Sequence, residues 1–182
     1  MPHKKQLFTV AEMDAAIARM TAAISSAFPP SGGSRAALVG IHQFGVPLAV
    51  RLRDAIAELT GHAPDLGKLD ISMYRDDVGS RNPLPLIRET EIDFDVNDRT
   101  IILVDDVLSS GRTIRAALDA LTDYGRPAMI KLAVLVDRGE PEYPIRADFV
   151  GLNLSLPADR KVAVEFGEDD RSIGIFEVDW KK

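Results

Sequence analysis

The chain of 182 residues is long enough for one domain with one sizeable core, and its 46% hydrophobic and 27% charged residues are ordinary for a globular protein. It contains no cysteine, which excludes disulfides and thiolate metal sites, and its three histidines lie far apart, which argues against a zinc site. The net charge of −6 disfavours non-specific binding to nucleic acid, because such binding depends on Lys and Arg side chains that neutralise phosphates.

The sequence also gives no sign of a membrane or export signal. No apolar run approaches the roughly 20 residues that a membrane-spanning helix needs. Residues 1–7 are polar and basic, and no apolar segment of the kind found in secretory signals follows them. We therefore expect a cytoplasmic protein that does not bind membranes.

Helical and extended patterns alternate through the first part of the chain. Thr9 and Glu12 have the spacing of a capping box, and the apolar residues after them, at steps of four and three, predict a helix that ends near Phe28. The apolar residues 36–41 predict a buried strand. Residues 46–59 predict a second helix with Gly61 just beyond its end, and alternation over 66–74 predicts a strand with one wetter face.

The rest of the chain predicts a parallel sheet. Residues 75–98 have no clear period, which is typical of a functional lid, although a simple hairpin insertion is the alternative. The apolar residues 100–104 predict a strand covered on both faces, followed by a helix over 111–124 and a strand over 130–136. Such a unit is parallel and right-handed. Short strands are predicted over 148–151, 161–166 and 173–178, the last two as a hairpin, so residues 1–182 form a single α/β domain.

The most informative segment runs from Ile101 to Thr113, where a hydroxyl-rich turn leads from an apolar strand into a helix. Ligands of open α/β sheets bind at the carboxyl ends of strands, and the start of a helix offers free N–H groups and a positive dipole end that suit a phosphate. Gly111 lets the backbone approach a ligand closely. The turn therefore predicts a phosphate site, with hydroxyl donors from Ser109, Ser110 and Thr113.

Two acids in the same segment predict a second group on the ligand. Asp105 and Asp106 are poor partners for a phosphate, but they can accept hydrogen bonds from adjacent hydroxyls of a phosphorylated sugar. The alternative is an ordinary serine-rich helix start with solvated acids. A Walker-type phosphate loop is excluded, because the pattern Gly-x-x-x-x-Gly-Lys-Ser/Thr is missing, and a dinucleotide fingerprint is absent as well.

These residues carry a resemblance to a known family. Val104 to Thr113 (VDDVLSSGRT) resembles the phosphoribosyl-pyrophosphate (PRPP) motif of type I phosphoribosyltransferases. Leu69 to Asp77, Gly125 to Gly139 and Pro144 to Gly151 resemble the bifunctional pyrimidine operon regulators and uracil phosphoribosyltransferases. The resemblance implies the type I phosphoribosyltransferase fold, a mainly parallel twisted sheet flanked by helices with a small hood and a flexible loop. It also implies a homodimer.

The resemblance implies an activity and a set of site residues. The substrates would be uracil and PRPP, the products UMP and pyrophosphate, and Mg²⁺ would bind with PRPP without a direct protein ligand. Asp105 and Asp106 would hold the ribose 2′ and 3′ hydroxyls, and with Arg138 they are the candidate catalytic residues. The remaining candidates are the PRPP contacts Ser109, Ser110, Gly111, Arg112 and Thr113, the pyrophosphate loop His42, Gln43, Phe44 and Gly45, the flexible loop from Tyr74 and Arg75 to about Phe94, and the base-proximal Asp137 and Arg138.

The sequence departs from the family pattern in two places. The pyrophosphate loop, which resembles Lys-Thr-Arg-Gly in the family, reads His42 to Gly45 here and carries Phe44 in place of the arginine. Binding of mRNA is implied by the resemblance but weakened, because the family's basic positions are mostly lost. Arg19 is the only cation in the matching part of the first helix, Glu140 follows Gly139, and Leu152 stands where a lysine is usual.

Two alternatives follow from these departures. The altered loop is compatible with a regulator that senses UMP or PRPP without turnover, either an RNA-binding attenuator or a degenerate PRPP-binding protein. A purine-specific transferase is the third hypothesis, with Tyr74 and Phe149 as the aromatic residues available to stack on a base.

Overall fold

Two β-sheets and three helices make up the part of the chain that the computed structural model describes, residues 4–30, 36–76, 87–157, 159–167 and 172–179. In chain order the elements are β1 (Lys4–Phe8), α1 (Val10–Ala27), β2 (Ala37–Ile41), α2 (Gly45–Thr60), β3 (Asp65–Leu69), a 3₁₀ turn (Ser72–Tyr74), β4 (Thr100–Leu108), α3 (Arg112–Thr122), β5 (Met129–Asp137), β6 (Phe149–Asn153), β7 (Arg160–Phe166) and β8 (Ser172–Asp179).

The larger sheet has five strands in the order β3-β2-β4-β5-β6, and every neighbouring pair is parallel. Residues of β4 alternate between its two faces. Ile102 and Val104 pack with α1 and α2, whereas Ile101 and Leu103 pack with α3. The predicted α/β class, the parallel sheet and its cover on both faces are confirmed.

The strand order places a switch point between β2 and β4. From β2 the chain moves to β3 on one side, and from β4 it moves to β5 and β6 on the other. The connections after β2 and after β4 therefore diverge and leave a crevice at the carboxyl ends of these two strands. Ligands of open α/β sheets bind at such a crevice.

Both ends of the described chain meet in a smaller antiparallel sheet of order β1-β8-β7. The predicted hairpin of β7 and β8 is confirmed. β1 was not predicted, because Lys4 and Lys5 mask its short apolar end and its pairing partner lies near the far end of the sequence. Val164 and Ile175 are buried against the α1 and α2 side of the core. This sheet corresponds to the small hood that the resemblance implied.

The helix signals agree with the structure. Thr9 Oγ1 accepts a hydrogen bond from the N–H of Glu12 at 3.3 Å, and Glu12 Oε2 accepts one from the N–H of Thr9 at 2.8 Å, so the capping box is confirmed. α2 ends on Gly61, which has φ 74° and caps it in the left-handed conformation. None of the helices in the described ranges is long and apolar enough to cross a membrane.

Two predicted strands have different ends in the structure. The strand predicted over 66–74 ends at Leu69, because the carboxylate of Asp70 accepts hydrogen bonds from the N–H groups of Ser72 and Arg88 and turns the chain. The strand predicted over 100–104 continues to Leu108. The two acids therefore lie within β4 and not beyond its end, although its pairing with β2 stops at Val104.

The predicted lid segment divides into two parts. Residues 77–86 lie outside the described residues. Residues 87–98 follow the edge of β3, where Lys68 and Glu91 exchange backbone hydrogen bonds of 2.8 Å and their side chains form an ion pair of 2.8 Å. Val96 is buried in the core beside α3. Residues 87–98 therefore contain no helix or strand, as the missing period predicted, but they are held against β3 and the core.

Candidate functional site

A cavity of about 350 Å³ opens at the switch point between β2 and β4. Four segments that are far apart in sequence surround it: the connection after β2, the 3₁₀ turn after β3, the residues around Arg88, and the end of β4 with the start of α3. The lining residues are His42, Gln43, Phe44, Asp70, Ile71, Ser72, Arg75, Arg88, Asp105, Asp106, Val107 and Thr113. We call it the switch-point cavity.

The loop after β2 is held tightly against β4. A Cβ at Gly45 would lie 2.2 Å from the carbonyl oxygen of Val104, and a Cβ at Gly40 would lie 2.7 Å from Cα of Val46. Only glycine permits this approach, so the His42–Gly45 loop reaches the acids of β4. The peptide bond between His42 and Gln43 is cis, and Phe44 is 45% exposed. Gly45 begins α2, whose first turn carries no acidic residue and no side-chain cap.

His42 is half-buried at the wall of the switch-point cavity. Its backbone N–H donates to the carbonyl of Leu69 at 3.0 Å, which fixes the loop against β3. The Nε2 atom is buried and has no hydrogen-bond partner among the described residues. Burial lowers the pKa of His42, and the nearby charge of Arg88 lowers it further, against the opposing effect of Asp70.

Asp105 and Asp106 form an acidic pair at the base of the cavity. Asp105 is only 5% exposed, and one of its oxygens accepts a hydrogen bond from the N–H of Asp106 at 3.0 Å. Burial and the adjacent charge of Asp106 raise the pKa of Asp105 well above its usual value, and burial also raises the pKa of Asp106. Two adjacent carboxylates, one of them buried, are costly to keep charged, so the pair suits a ligand that brings hydrogen-bond donors.

The turn Ser109 to Thr113 joins β4 to α3, and we call it the phosphate turn. Gly111 caps α3 with φ 88°, and the first turn of this helix contains no acid. The carbonyl of Ser110 accepts hydrogen bonds from the N–H groups of Glu142 and Tyr143 at 2.9 and 3.2 Å. The loop after β5 therefore supports the turn from behind. Thr113 lines the switch-point cavity, and its hydroxyl accepts a hydrogen bond from Arg75 Nη1 at 3.4 Å.

Arg112 does not face the cavity. Its guanidinium forms ion pairs with Asp76 at 2.6 Å and Glu142 at 2.8 Å, and it lies over the ring of Tyr143. On the next turn of α3, Arg115 donates to the carbonyl of Tyr74 at 3.3 Å. Arg112 and Arg115 therefore anchor residues 74–76 to α3.

Tyr74 points away from the cavity, toward the far end of α3. Its hydroxyl donates to Asp123, and this bond raises the pKa of Tyr74. Of the two residues expected at the start of the flexible loop, Arg75 lines the switch-point cavity and Tyr74 does not.

Asp137 and Arg138 lie beside the end of β4. The N–H of Arg138 donates to the carbonyl of Leu108 at 2.9 Å, and Asp137 accepts from the N–H of Gly139 at 2.8 Å. Arg138 is 7% exposed, bonds Glu140 at 3.4 Å, and has no described partner for its buried Nε. Neither residue lines the switch-point cavity. The lining also does not include Ser109, Ser110, Gly111 or Gly45.

Asp70 and Arg88 line the cavity, although no pattern in the sequence selected them. Asp70 belonged to an apparently regular strand, and Arg88 to a segment without a period. The signal available in retrospect is charge. Arg75 and Arg88 are the two arginines of the cavity lining. They supply positive charge to the cavity, which the His42–Gly45 loop does not, because that loop contains no Lys or Arg.

The residues fit a magnesium ion that arrives with a substrate. Within the ranges described, no three His, Asp or Glu side chains are grouped closely enough to hold a metal by themselves. Mg²⁺ commonly keeps several waters and binds through substrate phosphates rather than through an all-protein cage. An oxygen-rich ligand in the switch-point cavity would therefore supply most of the coordination.

Comparison with known proteins places the chain among phosphoribosyltransferases. Residues 3–171 match the family described as "Phosphoribosyl transferase domain". The "Bifunctional protein PyrR" of Roseiflexus sp. (strain RS-1) is 48% identical over 174 residues, which cover 95% of this chain and 94% of that protein. The protein of the same name from Thermus aquaticus is 49% identical over 170 residues, 93% of each chain.

Solved structures agree on the fold. A hypoxanthine-guanine phosphoribosyltransferase from Bacillus anthracis superposes with a TM-score of 0.70 at 17% identity, covering 96% of this chain and 97% of that chain. The hypoxanthine phosphoribosyl transferase of Trypanosoma cruzi gives a TM-score of 0.70 at 17% identity, with 97% and 91% covered. At this identity the likeness shows the fold alone and does not bear on the base.

Proposed function

We propose that this chain transfers the phosphoribosyl group of PRPP to uracil, giving UMP and pyrophosphate. The chain belongs to the phosphoribosyltransferase family and within it to the PyrR group. One observation carries the proposal. The acidic pair of β4, the start of α3 and the His42–Gly45 loop surround a single cavity at the sheet's switch point. A ribose with a phosphate on one side and a pyrophosphate on the other matches that order of groups.

The proposed roles follow from what each group can offer. Asp105 and Asp106 accept hydrogen bonds from the ribose 2′ and 3′ hydroxyls, which relieves their buried charge. The N–H groups and hydroxyls of the phosphate turn hold the 5′-phosphate at the positive end of α3. The start of α2, which also lacks an acidic residue, faces the pyrophosphate.

Catalysis at this site would rest on positioning and on exclusion of water. Loss of pyrophosphate leaves positive character on the ribose ring, which the neighbouring acidic pair stabilises electrostatically. Mg²⁺, bound through the oxygens of PRPP, would neutralise the leaving group. Water must be kept away, because it would capture the sugar in place of uracil. No strong protein nucleophile is needed.

The enzyme proposal is tested by UMP formation from uracil and PRPP in the presence of Mg²⁺. The matched control is Asp106→Asn, which keeps the size of the side chain and removes its charge. Turnover by the wild type that falls by one to two orders of magnitude in the control supports the proposal, since a hydrogen bond to a charged group contributes about 1.5–3 kcal/mol. Wild-type turnover no faster than the control rejects it. Hypoxanthine as the competing base tests the purine alternative.

A second candidate function is regulation of pyrimidine genes, in which the site binds UMP or PRPP and controls binding to mRNA. The observation that favours it over turnover is the pyrophosphate loop, where Phe44 is exposed and no Lys or Arg is present. On the expected RNA side, Arg19 donates to the carbonyl of Gly151 at 3.0 Å. Arg146, a basic residue in the stretch 144–151 that resembles the family, is exposed.

Mobility-shift binding to a pyrimidine-operon leader, with and without UMP, tests the regulatory candidate. Binding that UMP strengthens supports it, and failure to bind at low salt eliminates it, because low salt favours every phosphate contact. Sedimentation in the same buffers tests the proposed homodimer.

A further inference from the structure

His42 occupies an unusual position for a histidine side chain. It begins the loop that the proposed function assigns to pyrophosphate, yet its Nε2 is buried without a described hydrogen-bond partner. A buried polar atom with no partner costs free energy unless a ligand completes it. Since His42 lines the switch-point cavity, we take a group of the bound ligand as the partner that this atom lacks.

Burial and the charges around His42 disfavour its protonated form as long as no such ligand is bound. In the segment 87–91, the charge of Arg88 disfavours the protonated ring, whereas a hydrogen bond to the backbone of Glu89 favours it. At the end of β3, the charge of Lys68 disfavours the protonated ring and the charge of Asp70 favours it. Arg75, Asp105 and Asp106 line the same cavity. Burial is the largest influence, and the net result is a pKa below the usual 6.5.

A pyrophosphate group would reverse this balance. It brings several negative charges and strong acceptor oxygens next to an imidazole whose partly buried site screens charge poorly. The adjacent N-terminus of α2 stabilises the same anion. A neutral imidazole presents one donor, but the protonated ring presents two and adds a full charge, which is what the missing Lys and Arg of this loop would otherwise supply.

We propose that His42 is the cationic ligand of the pyrophosphate group and becomes that cation only on binding, by taking up one proton from solvent. The inference rests on the proposed function, because it names PRPP and free pyrophosphate as the ligands. It makes this site responsive to pH in a range where a Lys or Arg at the same place would not be. UMP, which has no pyrophosphate, does not engage His42.

The linkage has a definite sign. The pKa of His42 is lower in the free protein than in the complex, so PRPP binding is strongest at low pH. The affinity for PRPP falls as pH rises above the pKa of His42 in the free protein. Above the pKa of His42 in the complex, the protonated ring no longer contributes to affinity. One proton per site limits this change to about tenfold in Kd per pH unit.

The test is calorimetric titration of Mg²⁺-PRPP and of UMP into four full-length proteins between pH 6 and 8.5. They are the wild type, His42→Gln, His42→Lys and, as a matched control, His62→Gln at an exposed histidine outside the cavity. PRPP and Mg²⁺ carry their own proton equilibria, which are the same for all four proteins and cancel in the comparison. Repetition in two buffers of different ionisation enthalpy counts the protons taken up.

The expected result is a wild-type advantage over His42→Gln that grows as pH falls and vanishes at high pH. His42→Lys should keep its advantage at every pH, and His62→Gln should match the wild type. If PRPP affinity depends on pH in the same way for the wild type and His42→Gln, the inference is overturned. The proposed function still stands in that case, because PRPP binds. If UMP shows the same His42 dependence, the inference is also wrong. If none of the four proteins binds PRPP, the proposed function fails too.

Discussion

Replacement of Asp105 by Asn is expected to make the protein more stable and less able to bind PRPP. The Asp105 carboxylate is 5% exposed and has a second carboxylate, Asp106, beside it in sequence and in the cavity. An Asn side chain has the same shape, and its Oδ1 can still accept the hydrogen bond that the N–H of Asp106 donates at 3.0 Å. The substitution therefore removes a buried charge without removing its internal contact.

The size of the effect follows from the raised pKa of Asp105. Because the folded-state pKa lies above the usual 3.8, folding costs free energy at every pH where the unfolded chain has lost that proton. Incompletely compensated burial of a polar group costs about 1–3 kcal/mol in mutational data, and the substitution should recover free energy of that order. For a chain of this length about 1 kcal/mol corresponds to roughly 2–4 °C in Tm, so an increase of several degrees is expected near neutral pH.

Thermal unfolding of the wild type and Asp105→Asn from pH 4 to pH 8 measures this effect, with Asp54→Asn on the exposed face of α2 as the matched control. The advantage of Asp105→Asn should be small near pH 4, grow as pH rises above 3.8, and level off above the folded-state pKa. The same variant should bind PRPP about 10- to 100-fold more weakly, because a charged hydrogen-bond acceptor is lost. An equal or lower Tm at pH 8 would refute the argument that the pair is held at a cost.

Three further predictions concern the scaffold. Gly45→Ala should lower the free energy of unfolding by about 3 kcal/mol or more, since its Cβ would lie 2.2 Å from a carbonyl oxygen. Gly61→Ala has open space around it and should lower that free energy by only about 1 kcal/mol, because of its positive φ. Urea unfolding of the two variants compares these costs. Thr9→Ala should cost about 1 kcal/mol through the lost cap of α1, and a cost near zero would mean that the end of α1 frays. Arg112→Ala should change the unfolding free energy by at most about 1 kcal/mol, because the Arg112 side chain is 47% exposed and its partners Asp76 and Glu142 are exposed as well. A much larger loss in the same assay would contradict the view that these are surface ion pairs.

Local signals in the sequence were sufficient for most of the parallel core. The capping box at Thr9 and the positive-φ glycine at Gly61 act within a few residues of themselves, so they could be predicted without tertiary information. The acidic pair and the phosphate turn were identifiable for a similar reason, because strand, acids, turn and helix follow one another directly. That the His42–Gly45 loop lies beside them could be expected only from the resemblance, and in the structure it follows from the strand order, which places β2 next to β4.

The features that could not be predicted depend on contacts between distant segments. β1 acquires its partner from β8, and residues 87–98 are ordered by β3 and by burial of Val96. Arg88 reaches the cavity only because of that ordering. Arg112 belonged to the motif by its position, but its direction is set by Asp76 and Glu142, and no periodicity in the sequence could reveal such partners.

The pairing of β1 with β8 has a consequence for synthesis of the chain. Lys4 lies opposite Val178, so β1 must wait for the synthesis of β8 before its backbone groups are paired. The parallel sheet, by contrast, needs only segments up to β6. We expect a nascent chain to assemble the β2–β6 core first and to close the small sheet last, with the two lysines of β1 discouraging association with other exposed strand edges meanwhile.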